Sequence, residues 1–301
     1  MLDVNREIAV AAGNKVKVYI DAAGFPTFYV SEVHRDENTN ELSITAYDAL
    51  YAAAAHYTDE LNITAPYTIL QFINACAGVL GVSIQAYEDD LFELSYPTGI
   101  NIEGSETIRD VLNAACEATL SVAYLNSSDV LVFKRFSNSA AADLAITKED
   151  YFKLSSGNNR RLVKIVSATE LGDNISAETT QTGTTQYVRN NPFWELRDDI
   201  QTILDYAISA IGNLTINQFN CEWRGNAALE IGDKISLTTK DNNLVYAYVI
   251  DDVITYKGGL EEKTQWDYKE DEQTEANPVS LGDKLKQTFA KVDKANKEIT
   301  I

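Results

Sequence analysis

Residues 240–268 read Lys240-Asp-Asn-Asn-Leu-Val-Tyr-Ala-Tyr-Val-Ile-Asp-Asp-Val-Ile-Thr-Tyr-Lys-Gly-Gly-Leu-Glu-Glu-Lys-Thr-Gln-Trp-Asp-Tyr268. Two turn signals punctuate the stretch, Lys240–Asn243 and Gly258-Gly259. Asn, Asp and Gly tolerate the backbone of tight hairpins, so each signal marks a reversal. Between them Leu244, Tyr246, Tyr248 and Ile250 alternate with their neighbours, the period of a strand with one buried face. With the stretches before them, the segment reads as a four-strand meander over about 214–222, 228–239, 244–256 and 260–268. Four strands are few for a closed barrel, so strands from earlier in the chain are expected to complete it.

Moving toward the N-terminus, strand-like stretches recur at Leu162–Ala168, Ile175–Thr179 and Gln186–Val188. Between them and the meander, Asn191-Pro192 predicts a helix over 192–211. Asn is a good cap and Pro is preorganised for the first helical position. Phe193, Leu196, Ile200, Ile203, Leu204, Ala207, Ile208 and Ile211 would form its apolar face, and Gly212 its stop. Further back, residues 14–46 alternate, with Val16, Val18 and Ile20, then Phe28 and Val30, then Leu42, Ile44 and Ala46 on one side. The turn Asp36–Glu41 begins like a calcium loop, but its sixth position is Glu41 rather than Gly and its twelfth is Tyr47 rather than Glu.

A short helix is expected at about 47–57, and two longer ones follow. Thr64 is expected to cap a helix carrying Ile69, Leu70, Phe72, Ile73, Cys76, Val79 and Leu80, stopped by Gly81. The second starts near Ser105 and carries Ile108, Val111, Leu112 and Cys116. The two match at an offset of 39 residues: Thr68-Ile69 with Thr107-Ile108, and Phe72–Ala75 with Val111–Ala114. A short strand follows each, Val82–Gln85 and Val122–Leu125, with a further strand at Val130–Phe136. This suggests a duplicated helix–strand unit packed on a common small sheet. At the other end, residues 267–276 are charged and polar, like a linker. A helix after Pro278 has Leu285, Val292 and Ile299 seven apart, with Phe289 and Asn296 between them. That is coiled-coil spacing, with Asn296 as a register device, and these five residues are the expected oligomer interface.

The chain has 301 residues with 45 acidic and 25 basic side chains, a net charge of −20. Such a surface repels phosphate backbones, so nucleic-acid binding through counterion release is not expected. The three cysteines, Cys76, Cys116 and Cys221, have neither metal-ligand nor redox spacing and read as buried small hydrophobes. No apolar run approaches about 18 residues and Met1–Val10 lacks a signal-peptide pattern, so no membrane insertion is expected.

The catalytic inventory is poor. His34 and His56 are the only histidines and neither has a metal-ligand partner at useful spacing. There is no Gly-rich phosphate loop and no Ser in a nucleophile elbow. No catalytic residue, cofactor-binding residue or metal ligand is assigned. Glu88, Asp89, Asp90 and Glu93 read as a solvated loop, although a two-acid glycosidase stays open. Tyr96, Tyr124, Trp194, Trp223 and Trp266 read as core or interface residues, with a sugar platform as the alternative.

The order of parts carries a resemblance. A strand pair runs into Ser43-Ile-Thr-Ala-Tyr-Asp-Ala-Leu50, helix–strand units follow, and Asn190-Asn-Pro-Phe193 opens a helix. Then come Asn226-Ala-Ala-Leu-Glu-Ile-Gly-Asp-Lys-Ile-Ser-Leu237, Ile254-Thr-Tyr-Lys-Gly-Gly259 and a last strand with Trp266. Over roughly residues 14–301 the chain resembles the tail-tip (baseplate) hub proteins, or tail-associated proteins, of bacteriophages and prophages. The resemblance implies an α+β, mostly β fold with two β-barrel-like domains, smaller α/β insertions and a C-terminal helix.

On that reading residues 1–60 hold the first part of a β-barrel domain and 61–140 an α/β insertion with the duplicated unit. Residues 141–270 hold the second barrel-like domain with helix 192–211, and 271–301 the linker and start of the C-terminal helix. The resemblance further implies a homotrimer at the virion tail tip, a structural ring that continues or closes the tail tube and anchors the central tip. Its partners would be distal tail or tube proteins above, a tip fibre or spike below, and DNA passing without specific binding. Lysin domains of longer relatives have no counterpart here. A cell-wall-directed enzyme or carbohydrate-binding module is the competing class.

Overall fold

The structure, a computed structural model, describes residues 9–266 except 21, 37–41, 88, 101, 103–105, 138–140, 169–173, 196, 257 and 258. The expected C-terminal helix, with Leu285, Phe289, Val292, Asn296 and Ile299, lies outside the described residues, as does most of the turn that begins at Asp36.

The architecture is mixed and mostly β. Strands β1 (Lys15–Ile20), β2 (Ala23–Arg35) and β3 (Leu42–Tyr47) form an antiparallel sheet in that order. Then come the short α1 (Ala49–Ala52), β4 (Tyr67–Thr68), α2 (Ile69–Leu80), β5 (Ser83–Ile84), β6 (Ser95–Tyr96), α3 (Ile108–Thr119), β7 (Ser121–Leu125) and β8 (Val130–Arg135). The remaining elements are β9 (Leu144–Ile146), β10 (Tyr151–Ala168), β11 (Asn174–Glu178), β12 (Thr184–Arg189), α4 (Ile200–Ile211), β13 (Thr215–Trp223), β14 (Lys234–Thr238), β15 (Leu244–Tyr248), β16 (Asp251–Tyr256) and β17 (Leu260–Trp266).

The two matched helices are built alike. The Thr68 hydroxyl accepts from the Gln71 amide and the Thr107 hydroxyl from the Asp110 amide, both at 3.2 Å, satisfying donors that a helix start leaves unpaired. Both helices end in a left-handed residue, Gly81 (φ 68°) and Leu120 (φ 57°). The 39-residue offset therefore holds from cap to cap. Strands β5 and β7 flank β8 on opposite sides, so the two units share one small sheet; β5 runs parallel to β8 and β7 antiparallel.

The stretch read as one meander serves two sheets. β13, β17 and β16 belong to a six-stranded sheet ordered β11-β10-β13-β17-β16, with β12 parallel to β10, and this sheet curls as half a barrel. β14 and β15 form a hairpin in a separate sheet with β9. The expected single strand 244–256 is broken at Val249 and Ile250, both buried. There the backbone instead bonds the β13–β14 connection, Val249 N–H donating to Asp233 O and Gly232 N–H to Val249 O. Earlier strands β10, β11 and β12 join the large sheet, which curls as half a barrel rather than closing into the expected one.

The helix expected over 192–211 starts only at Ile200. Asn191 does cap a turn, accepting from Phe193 N–H at 3.0 Å, but its amide also donates to Ala114 O and Glu117 Oε2. These bonds tie Asn191 to the end of α3, and Phe193 and Trp194 dive into the core instead of continuing a spiral.

Two apolar cores result. The larger joins α2, α3, β7 and β8 to the second half of β10 (Leu162, Ile165), to Phe193 and Trp194, and to α4. The smaller gathers Ile146, Tyr151, Phe219, Cys221, Trp223, Ile235, Leu237 and Val249. β10 enters both.

Candidate functional site

The residues examined for chemistry are dispersed. Cys76, Cys116 and Cys221 are fully buried, and burial pushes their thiols up, Cys76 and Cys221 to about 12. Such thiols are packing groups, not nucleophiles. His56 Nδ1 pairs with Glu60 Oε2 at 2.8 Å, whereas His34 stands on β2. Among the described residues, no three His, Cys, Asp or Glu side chains are grouped to hold a metal ion.

In the acidic loop Asp90 and Glu93 are exposed, in keeping with the solvated reading, whereas Asp89 departs from it. Asp89 is partly buried and accepts from both terminal nitrogens of Arg135 at 2.7 and 2.9 Å, and from Tyr206 OH at 3.2 Å. Burial alone would raise the Asp89 carboxyl, but the hydrogen bonds and charge of Arg135 outweigh it and hold it below the usual range. Arg135 also donates to Thr119 O, so this clamp fastens the loop after β5 to the end of α3 and to α4. Of the aromatic set, Tyr96, Trp194 and Trp223 are buried, and Tyr96 donates to Phe193 O at 2.6 Å. Trp266 packs with Phe136 and Tyr248, and Tyr124 donates to Glu230 at 2.6 Å. They form no exposed platform.

Two features remain. The first is the sheet β1-β2-β3. Of its strands only Phe28, Val30 and Tyr47 are buried, and neither core includes any of them. Tyr19, Tyr29 and Val33 are exposed, and the outer edges of β1 and β3 have no strand partner among the described residues. The sheet is pinned to the β7–β8 turn by Asp129, which accepts from Thr27 Oγ1 at 2.7 Å and pairs with Lys17 at 3.3 Å. Such exposed edges favour pairing with other chains.

The second is a cavity of about 420 Å³ where the β1–β2 turn, α3, β7, the β13–β14 connection and β16 meet. Its wall is mostly apolar, with Phe25, Pro26, Leu112, Val122, Leu229 and Ile254 among its residues. Gly225 (φ 82°) turns the chain out of β13 into this wall, and a Cβ there would stand 2.9 Å from Leu260 Cγ.

Next to the cavity lies a buried acid pair. Asp252 of β16 and Glu262 of β17 project from the same sheet face as Thr264, which is paired with Asp252 across the strands. Glu262 accepts from Asn226 N–H at 2.6 Å, and Thr264 Oγ1 accepts from Trp223 Nε1 at 2.7 Å. Burial and then the facing Glu262 charge raise Asp252 well above the carboxylate range; burial raises Glu262 to about 7.

This arrangement of sheets and helices is a known one: it is the fold of tail proteins from bacteriophage-derived elements. The tail protein of Neisseria meningitidis MC58 superposes with a TM-score of 0.60 at 11% identity, over 86% of this chain and 84% of that one. The 43 kDa tail protein of prophage MuSo2 from Shewanella oneidensis gives 0.51 at 14% identity, over 87% and 83%. No protein-family model and no curated protein matches by sequence.

Proposed function

We propose that this chain is a structural, non-enzymatic component of a phage or prophage tail, and that three copies form a hub ring at the tail tip. The observation that carries the proposal is the shared fold over most of the chain with two tail proteins. The uncovered β1-β2-β3 sheet supports it, because such a sheet gains cover by association. In this reading the ring continues or closes the tail tube, with tube or distal tail proteins above and a fibre or spike below. The division into two barrel-like parts, an α/β insertion and a C-terminal helix belongs to the same proposal, with Leu285, Phe289, Val292, Asn296 and Ile299 as a helical seam.

The charge of −20 supports a wall past which DNA slides without binding, since like charge removes phosphate contacts that would have to be broken again. The buried aromatics take away the platform that a sugar-binding module would need.

Native mass spectrometry of the full chain tests the assembly, with a trimer expected. A chain that stays monomeric at high concentration would count against the ring. The double variant Phe289→Asp and Val292→Asp should weaken the trimer, because a seam cannot bury two charges without separating. An image of the ring with a channel lined mainly by Lys and Arg would remove the argument from charge.

A further inference from the structure

We propose that β16 is an edge strand released by pH: it stays zipped to β17 while Asp252 or Glu262 keeps its proton, and it comes away when both are ionised.

The placement of the two acids is the first ground. β16 pairs Asp252 with Thr264 and Ile254 with Glu262, so Asp252 and Glu262 are diagonal neighbours on one face. On β13 the same rows continue into Cys221 and Trp223, which belong to the smaller core. Glu262 is fully buried, and Asp252 Oδ1 is buried as well. Two carboxylates thus stand on an otherwise apolar face.

Their surroundings can hold one charge but not two. Glu262 accepts from the Asn226 amide at 2.6 Å and from the Thr264 hydroxyl at 3.4 Å, and that hydroxyl oxygen accepts from Trp223 Nε1. Asp252 Oδ1 has no hydrogen-bond partner. The next charge along β16 is a third acid, Asp251, and the facing Cys221 thiol is neutral, pushed up to about 12 by burial. Across the cavity stand Asp48, Glu230 and Arg109, and Arg109 is held at Tyr51 O, 2.9 Å away. Glu261 and Lys263 alternate to the other face of β17. Among the described residues neither Asp252 nor Glu262 forms an ion pair.

A second charge on this face would meet the first with no cation beside it, a state that buried carboxylates avoid by keeping a proton. Burial accordingly raises both, Glu262 to about 7 and Asp252 well above the carboxylate range. Raised values favour the closed strand at acidic pH, and that preference is lost as pH climbs past them.

Topology decides which part yields. β17 has a strand on each side, β13 and β16, whereas β16 has one on a single side. Just before β16, Val249 is fastened to Asp233 and Gly232 by two backbone hydrogen bonds. β16 can therefore leave the sheet from a fixed pivot at lower cost than unfolding either core. Its departure takes Val253 and Ile254 out of the cavity wall and bares the edge of β17, a strand-pairing edge that the closed form hides.

Hydrogen exchange of the full chain tests the latch, at about pH 5.5 and about pH 8.5, with exposure times scaled for the base-catalysed rate of free amides. Protection of the amides that join β16 to β17 is expected to fall about tenfold or more at the higher pH, while α2 and the β10–β13 ladder keep theirs. Glu262→Gln retains an oxygen for the Asn226 amide and should hold β16 protected at both pH values. Asp252→Asn should do the same, so either variant serves once circular dichroism shows it folded. Equal protection of β16 at both pH values in the unaltered chain would overturn the latch. So would a loss that persists in a folded neutral variant, or one that spreads evenly to α2, which would be global unfolding.

Discussion

The molecule contains two three-stranded sheets of opposite character. β5-β8-β7 lies with α2 and α3 in the larger core, with Val122, Leu125, Leu131 and Phe133 buried. β1-β2-β3 has as many strands, but only the four-residue α1 packs against it, with Tyr51 stacked on Tyr47, and no residue of it belongs to either core. Strand number is thus not what makes a sheet self-sufficient; a second layer over its apolar face is. The duplicated helices supply that layer to one sheet. The other is left with the anchor at Asp129 and the short α1.

Four measurements would break or sharpen this contrast, taken from the largest expected effect. Leu131→Ala in the covered sheet should cost about 2–5 kcal/mol in denaturant unfolding, the range for emptying a fully buried aliphatic site. A loss under 1 kcal/mol would mean that the helices do not cover β8 closely.

Next comes the clamp that ties the loop after β5 to α3 and α4. Asp89→Asn should cost about 2 kcal/mol, the scale of hydrogen bonds to a charged group. Its pH signature has a definite sign. The Asp89 carboxyl is depressed, so its contribution is present above the ordinary carboxylate range and disappears as pH falls through its lowered value. The Asp252–Glu262 pair works in the opposite sense. Its values are raised, so its contribution is present below the ordinary range and is lost as pH climbs through about 7 for Glu262. A thermal midpoint measured from pH 3 to 8 should therefore peak at an intermediate, mildly acidic pH. Glu262→Gln should flatten the upper flank and Asp89→Asn the lower one; a flank that keeps its slope in its own variant would refute that assignment.

Third, Thr68→Ala and Thr107→Ala should each cost about 1 kcal/mol, because each removes one helix cap. Equal costs would show that the two units remain energetic as well as geometric copies. A cost confined to one would show that they have diverged.

The smallest expected effect falls on the uncovered sheet. Tyr19→Ser and Val33→Ser should change unfolding free energy by no more than about 0.5 kcal/mol, as exposed positions do. If the proposed trimer forms, the same substitutions should raise the concentration at which it dissociates in analytical ultracentrifugation. A large stability loss in monomer would mean that this sheet already has a cover.

Much of the fold is legible in the sequence, for reasons that can be named. Apolar residues at helical spacing from Ile69 and Ile108 mark the two matched helices, although the first is capped by Thr68 and not by the expected Thr64, because the chain pairs as β4 before the helix starts. The alternation in Leu42–Ala46 marks one strand, and the continuous apolar runs Val122–Leu125 and Val130–Phe133 mark two strands of the buried sheet. Where the pattern fails, tertiary contacts decide. The first half of β10, Tyr151–Arg161, passes through Ser155-Ser-Gly-Asn-Asn159, a run with turn composition and no alternation. It is held extended by pairing with β13, a partner about sixty residues away. Asn191 reads as a long-helix cap because its bonds to Ala114 and Glu117 cannot be seen locally. Glu262 reads as part of a charged strand, yet it faces Asp252 inside the sheet. The cavity was equally hidden, since its lining residues come together only in the folded chain.

The long strand β10 has a mechanical consequence. Its 18 residues would extend to roughly 60 Å at about 3.3 Å per residue. Along that length it bonds β13 beside the smaller core, then β11 and β12 beside the larger one. A pull along its axis loads these ladders in shear, so many hydrogen bonds must yield together, whereas a peeling load would open them one at a time. A single backbone thus acts as a tie rod between the two cores, and stress applied at one core reaches the other without passing through a loop.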